Sequence, residues 1–163
     1  MADRRQHRLI DPGSRAPEFQ LATVHDDDAP VALSSLLATG PVLLAFFKVT
    51  CPICQLAFPF LERIHAAGFR VYGISQDDAE QTHEFNMEFG ITFPTLLDSE
   101  ESGFPVSNDY GVSSVPTMVL VESNGTVARV IEGWVRKEIE WLGSQMGILV
   151  VRRGERVPEF KPG

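Results

Sequence analysis

The sequence predicts an α/β protein, a mixed central β-sheet flanked by helices on both faces, and three observations carry that reading. Residues 42–49 (Val-Leu-Leu-Ala-Phe-Phe-Lys-Val) are an almost unbroken apolar run, the pattern of a strand covered on both sides. Strand and helix patterns alternate from there to Gly90. Ser123-Asn124-Gly125 then separates two apolar runs, a strong hairpin signal that adds antiparallel strands.

Taken in order, residues 1–16 are polar and broken by Pro and Gly, and an alternating segment begins at Pro17. We place a polar tail at 1–13, one domain at 14–147 and a second tail at 148–163. Asp26-Asp27-Asp28-Ala29-Pro30 reads as a solvated turn, residues 31–33 as a short returning strand, and Ser34 or Ser35 as the start of a brief helix ending at Gly40-Pro41. After the central strand, Thr50 is the expected cap of a helix running to Ala67, with Pro52 in its first turn and Gly68 as its stop. Cys54, Ala57, Phe58, Leu61 and Ile64 form one apolar stripe on it, and Pro59 is expected to bend it. Residues 70–75 form the next strand, and a helix follows Gln76-Asp77-Asp78 as far as Phe89. Thr95-Leu96-Leu97 precedes an acidic loop. The acidic loop at 98–102 is expected to be solvated, with a short helical turn before Tyr110. The hairpin strands are 117–122 and 126–132. A last helix at 136–146 buries Ile139, Leu142 and Met146, and Leu149 to Val151 could add an edge strand.

The chain has 163 residues, 44% of them apolar, and a formal charge of −8. A domain of this size can bury a core without disulfides or metals, so stability does not explain its two cysteines. The acidic charge, with no basic cluster beyond Arg152-Arg153, argues against nucleic acid as a partner. The longest apolar run falls far short of the ~20 residues that span a bilayer, so no membrane association is expected. The charged opening is not followed by an apolar block of signal-peptide length, which makes a cytoplasmic address the expectation. In that reducing compartment a close cysteine pair is more often catalytic or metal-binding than structural.

Cys51-Pro52-Ile53-Cys54 is a C-x-x-C on a first helical turn, close enough for the sulfurs to bond. Zinc is the main competing reading. It needs about four ligands, and His7, His25, His65 and His83 are scattered without ligand spacing, so no metal or other cofactor is expected. Two cysteines used as small buried hydrophobes would suit Cys54 better than Cys51. At a helix N-terminus the dipole and the unpaired amides favour an anion, so the Cys51 thiol should ionise more readily than an ordinary cysteine. Cys51 is therefore the candidate nucleophile and Cys54 the candidate resolving cysteine. Lys48, three residues before Cys51, is a candidate for further favouring the thiolate, against the ordinary role of a strand-end lysine reaching water. Trp134 and Trp141 read as core, Phe93 and Phe104 as structural loop aromatics, and His65 as too far along the helix to act as a base.

A strand, then C-x-x-C, then Pro59 five residues beyond the second cysteine, then Val115-Pro116-Thr117 before a later strand, together resemble the thioredoxin fold. Residues 73–77 (Gly-Ile-Ser-Gln-Asp), residues 93–98 (Phe-Pro-Thr-Leu-Leu-Asp) and Tyr110-Gly111-Val112 resemble its redoxin branch, the peroxiredoxin-like AhpC/TSA and TlpA/ResA-type proteins, across about residues 14–147. The resemblance implies a cis Pro116 lying against the cysteine pair, with the Val115 backbone pairing with an extended substrate. Thr50, Pro52, Val115 and Pro116 are thus the candidate substrate-binding residues. Three departures stand out. Thr50 replaces the tryptophan that precedes the thioredoxin motif; Ala45 and Ala57 stand where thioredoxins and ResA-like proteins carry an acid; Leu44 and Lys48 stand where the peroxiredoxin pattern has Pro and Thr.

Three functions follow as expectations. The first is a thiol-disulfide oxidoreductase cycling Cys51 and Cys54, with protein thiols or disulfides as substrate and a thioredoxin or low-molecular-weight thiol as reductant. The second is a peroxiredoxin-like thiol peroxidase acting on hydroperoxides. The third is a non-enzymatic redox-sensing or adaptor module.

Overall fold

The chain, seen in a computed structural model that describes residues 8–25 and 27–163, begins with two short antiparallel strands, β1 (Gln20–Leu21) and β2 (Val31–Ala32), and helix α1 (Leu33–Leu37). Residues 1–7 of the expected tail, His7 among them, and Asp26 of the acidic turn lie outside the described residues; Asp27 and Asp28 are exposed. Leu33 opens α1 instead of ending a strand, because its side chain and that of Leu36 are buried on one face of the helix.

Strand β3 (Val42–Phe47) follows, with all six residues buried. Next come helix α2 (Pro52–Ala66), β4 (Val71–Ser75), α3 (Ala79–Phe89) and β5 (Thr95–Leu97). The Asp78 carboxylate accepts from the Gln81 amide at 2.8 Å to start α3, and Gly90, at φ 67°, ends it where a side chain would be strained. A single 3-10 turn at 100–102 leads to α4 (Pro105–Asp109), the hairpin β6 (Thr117–Val121) and β7 (Val127–Glu132), and then β8 (Trp134–Val135), α5 (Arg136–Gln145) and β9 (Phe160–Lys161).

Five strands form the main sheet in the order β5-β4-β3-β6-β7. The β3-β4 and β4-β5 pairs are parallel; β3-β6 and β6-β7 are antiparallel. Side chains alternate across β3. Leu43, Ala45 and Phe47 join one apolar layer with residues of α2, α3 and α5, while Val42, Leu44 and Phe46 join another with Leu33, Leu36, Val106 and Tyr110. The mixed sheet with helices on both faces is therefore as the sequence predicts.

Four local expectations are corrected. Asp98 is not solvated: it is fully buried and accepts from the amides of Val106 (3.0 Å) and Ser107 (2.7 Å), which start α4. Residues 149–151 form no strand; Val150 and Val151 are buried in the layer beneath α2 and α5, and Leu149 is exposed. Met146 is only half-buried, because α5 ends at Gln145. Trp134 is fully buried as expected, whereas Trp141 is half-buried with the Arg129 guanidinium 3.7 Å above its ring.

Beyond Gly147 the chain folds back over α2. Arg63 on that helix donates to both Glu155 carboxylate oxygens, at 2.7 and 2.8 Å, and to the Val150 carbonyl at 2.9 Å. The Arg152 amide also donates to Glu155, at 2.7 Å. The Arg63 bonds first, then that amide, hold the Glu155 carboxyl at about 2 against an ordinary 4.5. A carboxyl lowered in the folded state contributes stability above its unfolded value and loses it as pH falls through the folded one. The protection of the amides in residues 150–157, taken relative to their intrinsic exchange rate at each pH, is thus expected to fall as pH falls from 4.5 toward 2. Glu155→Gln should lower that protection already at neutral pH and flatten its acid dependence; protection indifferent to both changes would contradict this clasp.

Candidate active site

Strand β3 delivers the chain to the cysteine pair through Lys48, Val49 and Thr50. Cys51 itself, not Thr50, is the N-cap of α2: its backbone is extended (φ −80°, ψ 113°) and its Sγ accepts from the Cys54 amide at 3.1 Å. Pro52 is the reason. A proline fits the first helical position, where its missing N–H costs nothing, and this makes residue 51 the cap. The Cys51 sulfur thus performs the task a serine oxygen usually has.

Two side chains that the sequence did not mark fix this turn. The Asp77 carboxylate accepts from the Val49 amide at 2.8 Å, and the Gln55 side-chain amide donates to the Val49 carbonyl at 3.0 Å. Nothing local signals either, since Asp77 lies 28 residues from Val49 and reads as part of a helix start.

Cys51 is half-buried, and Cys54, one turn deeper, is fully buried. Ala45 and Ala57 belong to the same apolar cluster as Cys54. Burial foremost, then the Cys51 sulfur beside it, push the Cys54 thiol well above its ordinary range, so it stays protonated at neutral pH. Both cysteines are free thiols.

Because Thr117 pairs with Phe46 at the end of the β3-β6 ladder, residues 113–116 are brought beside the start of α2. The Val115-Pro116 bond is cis, and the Cys51 thiol donates to the Val115 carbonyl at 3.4 Å. Pro116 is buried and its carbonyl accepts from the Gly133 amide at 2.8 Å, while Thr50 and Pro52 are exposed on the rim. The structure therefore brings Cys51, Cys54, Val115 and Pro116 together.

Lys48 Nζ stands 6.0 Å from the Phe104 ring centroid, across a cleft of about 230 Å³ lined also by Gln76, Ser107, Asn108 and residues 112–115. Phe104, set aside by the sequence reading, is half-buried there in a left-handed conformation (φ 53°); Phe93 is core. His65 packs on Phe93 near the far end of α2. Among the described residues, no group of three or more His, Cys, Asp or Glu side chains is placed to hold a metal, and no helix is long and apolar enough to cross a membrane.

This arrangement can be set beside known proteins. Residues 12–130 match the AhpC/TSA family. The chain belongs to the AhpC/TSA family. Among similar relatives of this AhpC/TSA protein, thiol-disulfide oxidoreductase ResA of Geobacillus thermodenitrificans is 28% identical over 131 residues, 77% of this chain and 72% of ResA. Thioredoxin-like protein YneN of Bacillus subtilis is 30% identical over 141 residues, 80% of this chain and 78% of YneN. In fold, the crystal structure of a thiol:disulfide interchange protein of the thioredoxin family from Chlorobium tepidum superposes with TM-score 0.65 at 22% identity, covering 86% of this chain and all of that one (100%). The fold is thioredoxin-like, and with its C-x-x-C pair this AhpC/TSA protein is a thiol-disulfide oxidoreductase.

Proposed function

We propose that Cys51 attacks a disulfide of another protein and that Cys54 resolves the product. The observation that carries this reading is the position of Cys51 Sγ, at the amide end of α2 and on the Val115 carbonyl, with Cys54 on the next turn. The Cys54 amide N–H aimed at Cys51 Sγ stabilises negative charge on that atom both when it attacks and when it leaves.

In the first step the Cys51 thiolate attacks one sulfur of the substrate disulfide. That S–S bond breaks, a Cys51-substrate bond forms, and the other substrate sulfur leaves as a thiolate that takes up a proton. In the second, Cys54 gives up its proton to solvent and attacks Cys51 Sγ, closing the Cys51-Cys54 bond and releasing the second substrate thiol. Two electrons pass from the pair to the substrate. A dithiol of thioredoxin type, or a low-molecular-weight thiol, restores the reduced pair. Thr50, Pro52 and Val115 form the rim that the substrate meets, next to the buried Pro116. Lys48, beside Phe104, belongs to the neighbouring cleft, where it would favour acidic substrate side chains.

The second step is slow by construction, since Cys54 is held protonated and Ala45 and Ala57 supply no base. Cys54→Ser is expected to accumulate a mixed disulfide between Cys51 and a peptide disulfide, visible by mass spectrometry under non-reducing conditions. With Cys54 present, release of that intermediate should quicken about tenfold per pH unit through the neutral and mildly alkaline range, as thiolate becomes available. A variant that captures no substrate would refute the mechanism.

Hydroperoxides are the second reading, favoured by membership of the AhpC/TSA family. Leu44 and Lys48 weigh against it, because the groups that would activate a peroxide are not at those positions. Stopped-flow consumption of hydrogen peroxide no faster than by free thiolate would leave disulfides as the substrate. A cytoplasmic address is part of the same proposal, and cell fractionation checks it.

A further inference from the structure

The C-terminal strand lies against the same carbonyl that Cys51 touches. Strand β9 pairs antiparallel with β8, matching Phe160 to Val135 and Lys161 to Trp134. The Trp134 indole N–H donates to the Pro158 carbonyl at 2.6 Å, and the Arg136 amide donates to the Glu159 carbonyl at 3.0 Å. From there the chain runs over Gly133, which is buried and sits at φ 71°. A Cβ at Gly133 would collide with the Lys161 carbonyl oxygen and stand 3.0 Å from the Gly163 nitrogen. Gly163 in turn lies on Val115. A Cβ there would collide with the Val115 carbonyl oxygen and come within 2.8 Å of its carbon. Cys51 Sγ is 3.4 Å from that same oxygen.

We infer that residues 158–163 are a strap that fills the place beside Val115 where an extended substrate would lie, so that a peptide or protein disulfide reaches Cys51 only when the strap has moved aside, whereas a small disulfide reaches it with the strap in place. This rests on the disulfide-exchange reading above. The steric reason is direct: a substrate sulfur that reaches Cys51 brings its own backbone toward Val115, and Gly163 already occupies that side of the carbonyl. The strap carries no cysteine and cannot react.

Its construction suits release. The base of the C-terminal segment is fixed by buried Val150 and Val151 and by the Arg63-Glu155 pair. Past Pro158 every residue is exposed; Phe160, the largest apolar side chain there, is 58% exposed, so main-chain pairing supplies most of the hold. Segments with few buried apolar contacts open at low free-energy cost. A strap closed nine-tenths of the time lowers the apparent affinity for a competing peptide about tenfold.

Gly163→Val in the full chain is the test, since its new Cβ and methyls cannot stay on the Val115 carbonyl. The expected result is a rise of about tenfold in kcat/KM for a disulfide-linked peptide, with the rate toward 2-hydroxyethyl disulfide unchanged. Lys161→Pro, which removes the N–H that faces Trp134 across the β8-β9 pair, should do the same. Peptide rates that stay level or fall in both variants would overturn the inference. If the unaltered protein reduces neither disulfide, it is the disulfide-exchange reading that fails, and the strap is then decided by alkylation of Cys51. A bulky peptidyl maleimide should react faster with Gly163→Val while iodoacetamide does not, and equal maleimide rates would remove the strap.

Discussion

Cys51→Ser is expected to lower disulfide exchange on the order of a thousandfold or more, toward the uncatalysed rate, while leaving the fold intact. The loss follows from chemistry: a serine hydroxyl is not ionised near neutrality and forms no mixed disulfide. The intact fold follows from geometry. Cys51 Sγ accepts the Cys54 amide as the cap of α2, and a serine oxygen is a preferred acceptor in that position. Stability within about 0.5 kcal/mol of the unaltered protein is therefore expected alongside the lost turnover. Steady-state exchange and urea unfolding on the same sample separate the two effects. Residual exchange near the original rate would show that Cys51 is not the nucleophile.

Phe58→Ala is expected to have the largest effect on stability, about 3–5 kcal/mol. Phe58 is fully buried on the face of α2 that meets the sheet. Its ring centroid lies 4.3 Å from that of Phe47 on β3, 5.5 Å from Phe93 and 5.7 Å from Phe85 on α3. Truncation leaves a cavity bounded by three rings anchored in separate elements, which cannot all move inward. Urea unfolding should show a midpoint lowered by more than about 1 M with an unchanged slope. A shift of only a few tenths would mean that the neighbouring rings close over the gap.

The central strand, the apolar stripe of α2 and the hairpin were legible because each is written in neighbouring residues: six buried positions in a row, apolar positions at helical spacing, and a turn at Asn124-Gly125. The cysteine pair was legible for the same reason. What escaped is non-local. Asp98 reads as part of a charged loop until the 3-10 turn carries α4 back over it, and its role depends on amides eight and nine residues away. Asp77 and Gln55 support the active-site turn through bonds to Val49 that no periodicity signals. Residues 149–151 are apolar enough for a strand, yet Val150 and Val151 spend that character packing under α2 and α5 rather than joining a sheet edge.

The thiol of Cys51 is the donor to the Val115 carbonyl, and a disulfide carries no hydrogen to donate. Once the pair is oxidised, that oxygen becomes an unclaimed acceptor at the mouth of the site. The two oxidation states therefore differ in what the carbonyl offers once residues 158–163 move aside: a reductant that displaces them finds a free acceptor for its own N–H or S–H where the reduced protein shows a satisfied group.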